Sequence, residues 1–146
     1  MNINTKTFQE LSNLELYQIL QLRTEVFVVE QQCVYQDMDG KDMKALHVIG
    51  KKDNDIIAYT RIFKPGDYMD HASIGRVVVK KPMREGGYGK VIMLASIKTI
   101  EDKLKETTIH LSAQTYLQKF YEELGFRAVG ETYLEDDIPH ILMIKE

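Results

Sequence analysis

Residues 72–105 place the strongest constraint on what this chain can fold into. The stretch "ASIGRVVVK" is apolar and β-branched, "REGGYG" then bares the backbone at three glycines, and the following residues repeat apolar side chains at helical spacing. Met93, Ile97, Ile100 and Leu104 fall at i, i+4, i+7 and i+11, one stripe of a helix that the pattern ends near Lys105. A strand that feeds a helix through a glycine loop suits an anion, because the loop amides and the helix N-terminus face outward together. A Walker-type phosphate loop is excluded: Gly89-Lys90 is followed by Val91, and Arg84 stands where its first glycine belongs. A dinucleotide fingerprint fits poorly, since Ile92 holds the position of its third glycine. What remains is Arg-x-x-Gly-x-Gly, Arg84 through Gly89.

The rest of the chain supplies a sheet for that unit. After a short first strand, Ser12 and Glu15 have the spacing of a capping box, and Leu16, Ile19, Leu20, Val26 and Phe27 predict a helix over residues 13 to 29. "ALHVIGKK" and "IIAYTRIFK" flank "DND" as an antiparallel hairpin, and "PGD" closes its second strand. "TIHLSAQ" reads as a later strand, and Leu117, Phe120, Tyr121 and Leu124 line a short helix stopped by Gly125. Two final strands, about "FRAVGETYL" and "HILMIKE", flank "EDDIP". This order predicts an α/β (α+β) fold, a mixed central sheet with helices on both faces. No repeat, low-complexity tract or linker interrupts the 146 residues, which are read as a single domain, 1–146.

Charge narrows the ligand class. The formal net charge is -3, with no basic cluster, which argues against nucleic acid and an anionic membrane as the main partner and favours a small polar or cationic ligand. The single cysteine, Cys33, excludes an internal disulfide and suggests a reducing compartment. With no apolar signal core and no apolar run of about 18 residues, the expected location is cytoplasmic.

Strand "IGRVVV", loop "REGGYG" and the apolar helix resemble the acyl-CoA motif of the Gcn5-related N-acetyltransferase (GNAT) superfamily. "LRTEVFVVEQQCVYQDMDGKD", "AQTYLQKFYEELGF" and "DDIPHILM" extend the resemblance to its ElaA-type branch over nearly the whole chain. The resemblance implies a mostly antiparallel sheet and acetyl-CoA as cosubstrate; four scattered histidines and one cysteine give no metal-ligand spacing, and no metal is expected. It implies that the amides of Arg84, Glu85, Gly86, Gly87, Tyr88, Gly89 and Lys90 cradle the pyrophosphate. The backbone N–H groups of Val77, Val78 and Val79 would polarise the thioester carbonyl, on a strand splayed from its neighbour to admit the pantetheine arm. A wholly buried strand accounts for the same valine side chains.

Acetyl transfer to an amine also needs a proton donor for the leaving thiolate and a sink for the amine proton. Tyr121 stands where many family members carry a general-acid tyrosine; a phenol titrates near 10 and is protonated at neutral pH. Its place on an apolar stripe suits packing as well. Extending the first helix's stripe brings Arg23 and Glu30 onto its inner face, where a charge must be paired or line a wet cleft. Glu30 is the first candidate for the acceptor pocket and His140, in an Ile-Pro-His that the ElaA-type pattern shares, the second. His47, His71 and His110 are scattered without metal-ligand spacing. The loop "QQCVYQDMDGKDM" carries Asp37, Asp39 and Asp42, read either as solvated charge or as a lure for a cationic acceptor; its glycine falls too early for an EF-hand.

The expected reaction is direct acetyl transfer from acetyl-CoA to a primary amine in a ternary complex. A CoA-sensing or partner-binding protein without turnover is the alternative reading. An acyl-homoserine-lactone synthase is disfavoured because Glu30 stands where that group is expected to have arginine and the chain has no tryptophan. Unpaired sheet edges are compatible with a homodimer.

Overall fold

The computed structural model describes residues 1–146. Seven strands form one sheet: β1 (Asn2–Thr7), β2 (Leu46–Lys52), β3 (Asp55–Phe63), β4 (Ala72–Val79), β5 (Ile109–Gln114), β6 (Arg127–Glu135) and β7 (Ile138–Lys145). Their spatial order is β1-β2-β3-β4-β5-β7-β6, and every neighbouring pair is antiparallel except β4 and β5. That single parallel pair is where α2 (Tyr88–Thr99) crosses over the sheet.

Helices cover both faces, as the element order predicts. Ile92, Met93, Ile97 and Ile100 from α2 and its last turn, with Tyr121 and Leu124 at α3 (Gln118–Glu122), pack on Val48, Ala58, Ile62, Leu111 and Met143. On the opposite face, Ile19, Leu22 and Val26 cover Ile49, Tyr59 and Val78. Alternation along β2 and β3 sends neighbouring residues to the two cores: Val48 and Ala58 to one, Ile49 and Tyr59 to the other.

The first helix departs from the expected span. It starts as the sequence predicts: Ser12 Oγ accepts from Glu15 N at 3.0 Å, and Ser12 N donates to Glu15 Oε1 at 2.9 Å. α1 is α-helical only over Asn13–Arg23, and Thr24–Glu30 continue it in wider π-helical turns. Gln31 N and Cys33 N donate to carbonyls five residues back, Val26 O and Val28 O. Glu15, Ile19, Leu22, Arg23 and Val26 form the buried stripe, while Leu20 is only half-buried.

The sheet is split between β4 and β5. β4 and β5 are paired at Ala72↔Ile109 and Ser73↔His110 alone, and then diverge. Beyond that seam β5 remains bonded to β7 as far as Gln114↔His140, and β4 remains bonded to β3 as far as Val79↔Ala58. A register shift between Tyr59 and Arg61 makes a bulge on β4, and Arg76 adopts a left-handed φ of 50° there. The result is a wedge-shaped opening whose two sides are held rigidly by their other neighbours.

Candidate active site

The wedge between β4 and β5 forms a cleft of about 450 Å³. The π-helical end of α1 crosses one side, with Val26, Phe27 and Glu30 on its lining; Gly87, Gly89 and Lys90 at the start of α2 and Phe120 and Tyr121 of α3 close another. Val77, Val78 and Val79 run along it on the strand that has lost its β5 partner.

At one end the wall is backbone. Lys81–Gly86 curl as a tight 3-10 turn, Gly87 takes φ 76°, and α2 begins without a side-chain cap. A left-handed φ is what a glycine supplies cheaply, and an N-terminus with no side-chain cap leaves its amide donors free for an external acceptor. A Cβ at Gly89 would lie 3.5 Å from Phe120 and 3.8 Å from Val79, so the helix start sits close against the strand and α3. Arg84, Gly87, Gly89 and Lys90 therefore border the cleft, whereas Glu85, Gly86 and Tyr88 do not line it. Glu85 is exposed; the Tyr88 ring folds back over Gly86, and its hydroxyl accepts from Lys52 Nζ at 3.1 Å.

Arg84 joins the two sides. Its Nε donates to Val79 O at 3.0 Å, and its guanidinium forms a bidentate pair with Glu30 at 2.5 and 2.7 Å. Arg84 thereby holds the Glu30 carboxyl below its usual value. Glu30 lines the cleft, as its place on the helix suggests, but its carboxylate is already engaged.

Tyr121 lies on the lining with only 5% of its surface exposed, its ring edge-on to Phe120 and Phe126. Burial pushes the phenol well above its usual value, so the hydroxyl keeps its proton across the neutral range. His140 is buried at the far wall. Its Nδ1 is 2.6 Å from Ile138 O; a carbonyl only accepts, so Nδ1 carries the hydrogen and Nε2 is the nitrogen left to exchange a proton. Nε2 lies 3.4 Å from Glu135 Oε2. Glu135 and Asp136 also line this end, carboxylates that the sequence offers only as part of a polar turn. The turn fixes them: Asp136 and Asp137 both take left-handed φ, 51° and 61°, as a two-residue hairpin requires.

The acidic loop behaves differently from both sequence expectations. Asp37 and Asp42 are buried, and with Asp39 they bind three arginines rather than solvent or a ligand. Arg23, fully buried, donates from Nε to Asp37 at 2.8 Å and from Nη1 to Asp42 at 2.8 Å. Arg61 reaches Asp42 at 3.0 Å and Asp39 at 2.5 Å, and Arg76 Nε is 2.8 Å from Asp37. Below them His47 Nε2 donates to Asp42 O at 2.9 Å and accepts at Nδ1 from Tyr59 at 2.6 Å, a neutral imidazole. Cys33, on the lining, donates to Asp136 O at 3.2 Å, and burial raises its thiol away from the reactive thiolate.

With this geometry in view, the likenesses are informative. Residues 7–146 match the family model described as an acetyltransferase (GNAT) domain. The chain is 43% identical to Protein ElaA of Escherichia coli over 139 residues, covering 94% of this chain and 91% of that one. The crystal structure of Escherichia coli ElaA superposes with a TM-score of 0.91 at 40% identity, each chain covered completely. An acyl-CoA N-acyltransferase structure from Pseudomonas aeruginosa gives a TM-score of 0.93 at 42% identity, again over 100% of both chains.

Proposed function

The chain belongs to the GNAT acetyltransferase family, and from that premise we propose that it transfers an acetyl group from acetyl-CoA to a primary amine of a small molecule or peptide, by direct attack in a ternary complex. The observation that carries this reading is the wedge. An unpaired stretch of β4 backbone leads into a glycine turn and an uncapped helix start, an assembly suited to a thioester at one end and a pyrophosphate at the other.

In this reading the amides of Gly87, Gly89 and Lys90, with the Arg84 and Lys90 charges nearby, receive the pyrophosphate. Glu85, Gly86 and Tyr88 contribute to the turn rather than to the lining. The acyl chain enters the wedge, where an N–H of Val77–Val79 donates to the carbonyl oxygen as it becomes an oxyanion. The neutral amine nitrogen attacks the carbonyl carbon, the C–S bond breaks, and the departing sulfur takes the Tyr121 proton. The amine proton passes to His140 Nε2, directly or through water, and the Glu30 carboxylate holds the cationic form of the acceptor before attack. An incoming pyrophosphate competes for Arg84, which frees Glu30 for that task. CoA leaves as the thiol.

Thiol release from acetyl-CoA, measured across a panel of primary amines, tests the reading. Amine-dependent release is expected, and Tyr121→Phe should lower kcat by roughly 100-fold, the scale of a lost general acid, with acetyl-CoA affinity retained. Acetyl-CoA binding without release for any amine would favour the sensing alternative. Unchanged kcat in Tyr121→Phe would reduce Tyr121 to a packing residue.

A further inference from the structure

Three arginines bind the acidic loop, and one of them does so from the lining of the cleft. Arg23 and Arg61 are at most 1% exposed and face the interior, whereas the Arg76 side chain is 19% exposed and borders the wedge. Arg76 sits on the β4 bulge, directly before Val77, with a left-handed φ of 50°. A residue with a Cβ rarely adopts that conformation, least of all in a strand. Here the side chain is tied down on one partner: Nε lies 2.8 Å from Asp37 Oδ1, Nη2 donates to Asp37 O at 2.9 Å, and Asp39 is 3.7 Å away. The guanidinium also lies over the Tyr35 ring at 5.9 Å, and the Tyr35 hydroxyl donates to Asp37 Oδ1 at 2.9 Å. Tyr35 is itself on the lining.

We infer that Arg76 is a positioning residue for the transfer step: it fastens the loop of residues 31–44, the wall on the amine side, to the strand whose amides face the thioester. The inference rests on the transferase reading above. Asp37 is held from below by Arg23 and from the cleft side by Arg76, so the loop cannot drift from β4 without breaking both ion pairs. The bulge and the clamp are the same residue, which couples the direction of the Val77 amide to the position of Tyr35. Attack on a thioester depends on that separation, and a displacement of about 1 Å can cost on the order of 100-fold in rate.

Glycine is the informative replacement, because it accepts the left-handed φ and removes only the clamp. For Arg76→Gly, kcat with a saturating primary amine should fall roughly 10- to 100-fold while the calorimetric Kd for acetyl-CoA stays within about twofold. Added guanidinium ion should restore part of the rate, and Arg76→Lys, which keeps one charge without the fork, should lie between. Wild-type kcat in a folded Arg76→Gly protein would overturn the inference, as would a loss of acetyl-CoA affinity that matches the loss of kcat. If Arg76→Gly does not fold, Tyr35→Phe removes the outer bond of the same clamp and should lower kcat at unchanged acetyl-CoA Kd; an unaltered kcat there would also overturn it. No turnover by the wild-type protein with any amine would instead remove the transferase reading, and this role with it.

Discussion

The two walls of the cleft are built from different materials. The wall proposed for the nucleotide is backbone: a 3-10 turn, a left-handed glycine and a helix start within residues 81–90. Behind the opposite wall, which Gln31, Cys33, Tyr35 and Arg76 line, stands a cage of charged side chains, in which Asp37, Asp39 and Asp42 meet arginines 14 to 39 residues distant. A backbone site is local, tolerant of surface substitution and sensitive to conformation. A cage of buried charges is non-local and rigid, and fails as a unit when one member is removed, because the partners are left buried and unpaired. One wall can therefore serve a constant donor while the other is free to diverge around its acceptor.

The largest effect should come from opening the cage. Asp42→Ala removes the carboxylate that Arg23 and Arg61 share, leaving buried guanidinium N–H groups unpaired, and should cost about 3–5 kcal/mol in urea or thermal denaturation, while any folded fraction at low temperature keeps its acetyl-CoA affinity. A loss below about 1 kcal/mol would show that the cage is not a unit.

Next is the anchor of α1, the helix that delivers Arg23. Burial alone would raise the Glu15 carboxyl, but the Ser12 N–H with Lys6 and Lys51 outweighs it and lowers the group from 4.5 to about 2. A depressed carboxyl stabilises the fold above its unfolded value, and that stability is lost as pH falls from about 4.5 toward 2. Glu15→Gln should cost about 2 kcal/mol at neutral pH and flatten the acid limb of the stability curve. An unchanged acid limb would locate the acid lability elsewhere.

Gly87→Val probes the backbone wall. It forces a β-branched residue into φ 76° and should cost about 1–2 kcal/mol of stability, but weaken acetyl-CoA binding by roughly tenfold or more. Equal affinity would break the comparison, since the loop would then owe nothing to its conformation. The smallest effect is expected at the seam between the walls. Arg84 and Glu30 are partly exposed, so Glu30→Gln should change the melting stability by less than about 1 kcal/mol and still raise the KM of the amine.

The contrast also explains what could be read from the sequence. The glycine turn, the capping box at Ser12 and Glu15 and the two-faced sheet carry local signals, because turn residues and periodicity act over a few positions. Tyr121 and His140, both on the cleft lining, are legible as candidates only through the family resemblance, for an aromatic on a helix stripe and a strand-end imidazole have ordinary structural uses. The pairing of Asp37, Asp39 and Asp42 is invisible in the sequence because no local pattern says that Arg23, Arg61 and Arg76 will converge on them. The π-helical extension over Thr24–Glu30 has no periodic signature either, and it is what carries Val26, Phe27 and Glu30 along the cleft. Glu135 and Asp136 were hidden in a turn-like run whose direction depends on the hairpin and not on its composition.

The most direct test of the central claim is calorimetric titration of the wild-type protein and Gly87→Val with acetyl-CoA, CoA and NADH. The account predicts binding of both CoA species by the wild type, markedly weaker binding by the variant, and no heat from NADH. Absence of CoA binding, or an affinity that Gly87→Val leaves untouched, would contradict the assignment of the wedge and its glycine turn to an acyl-CoA.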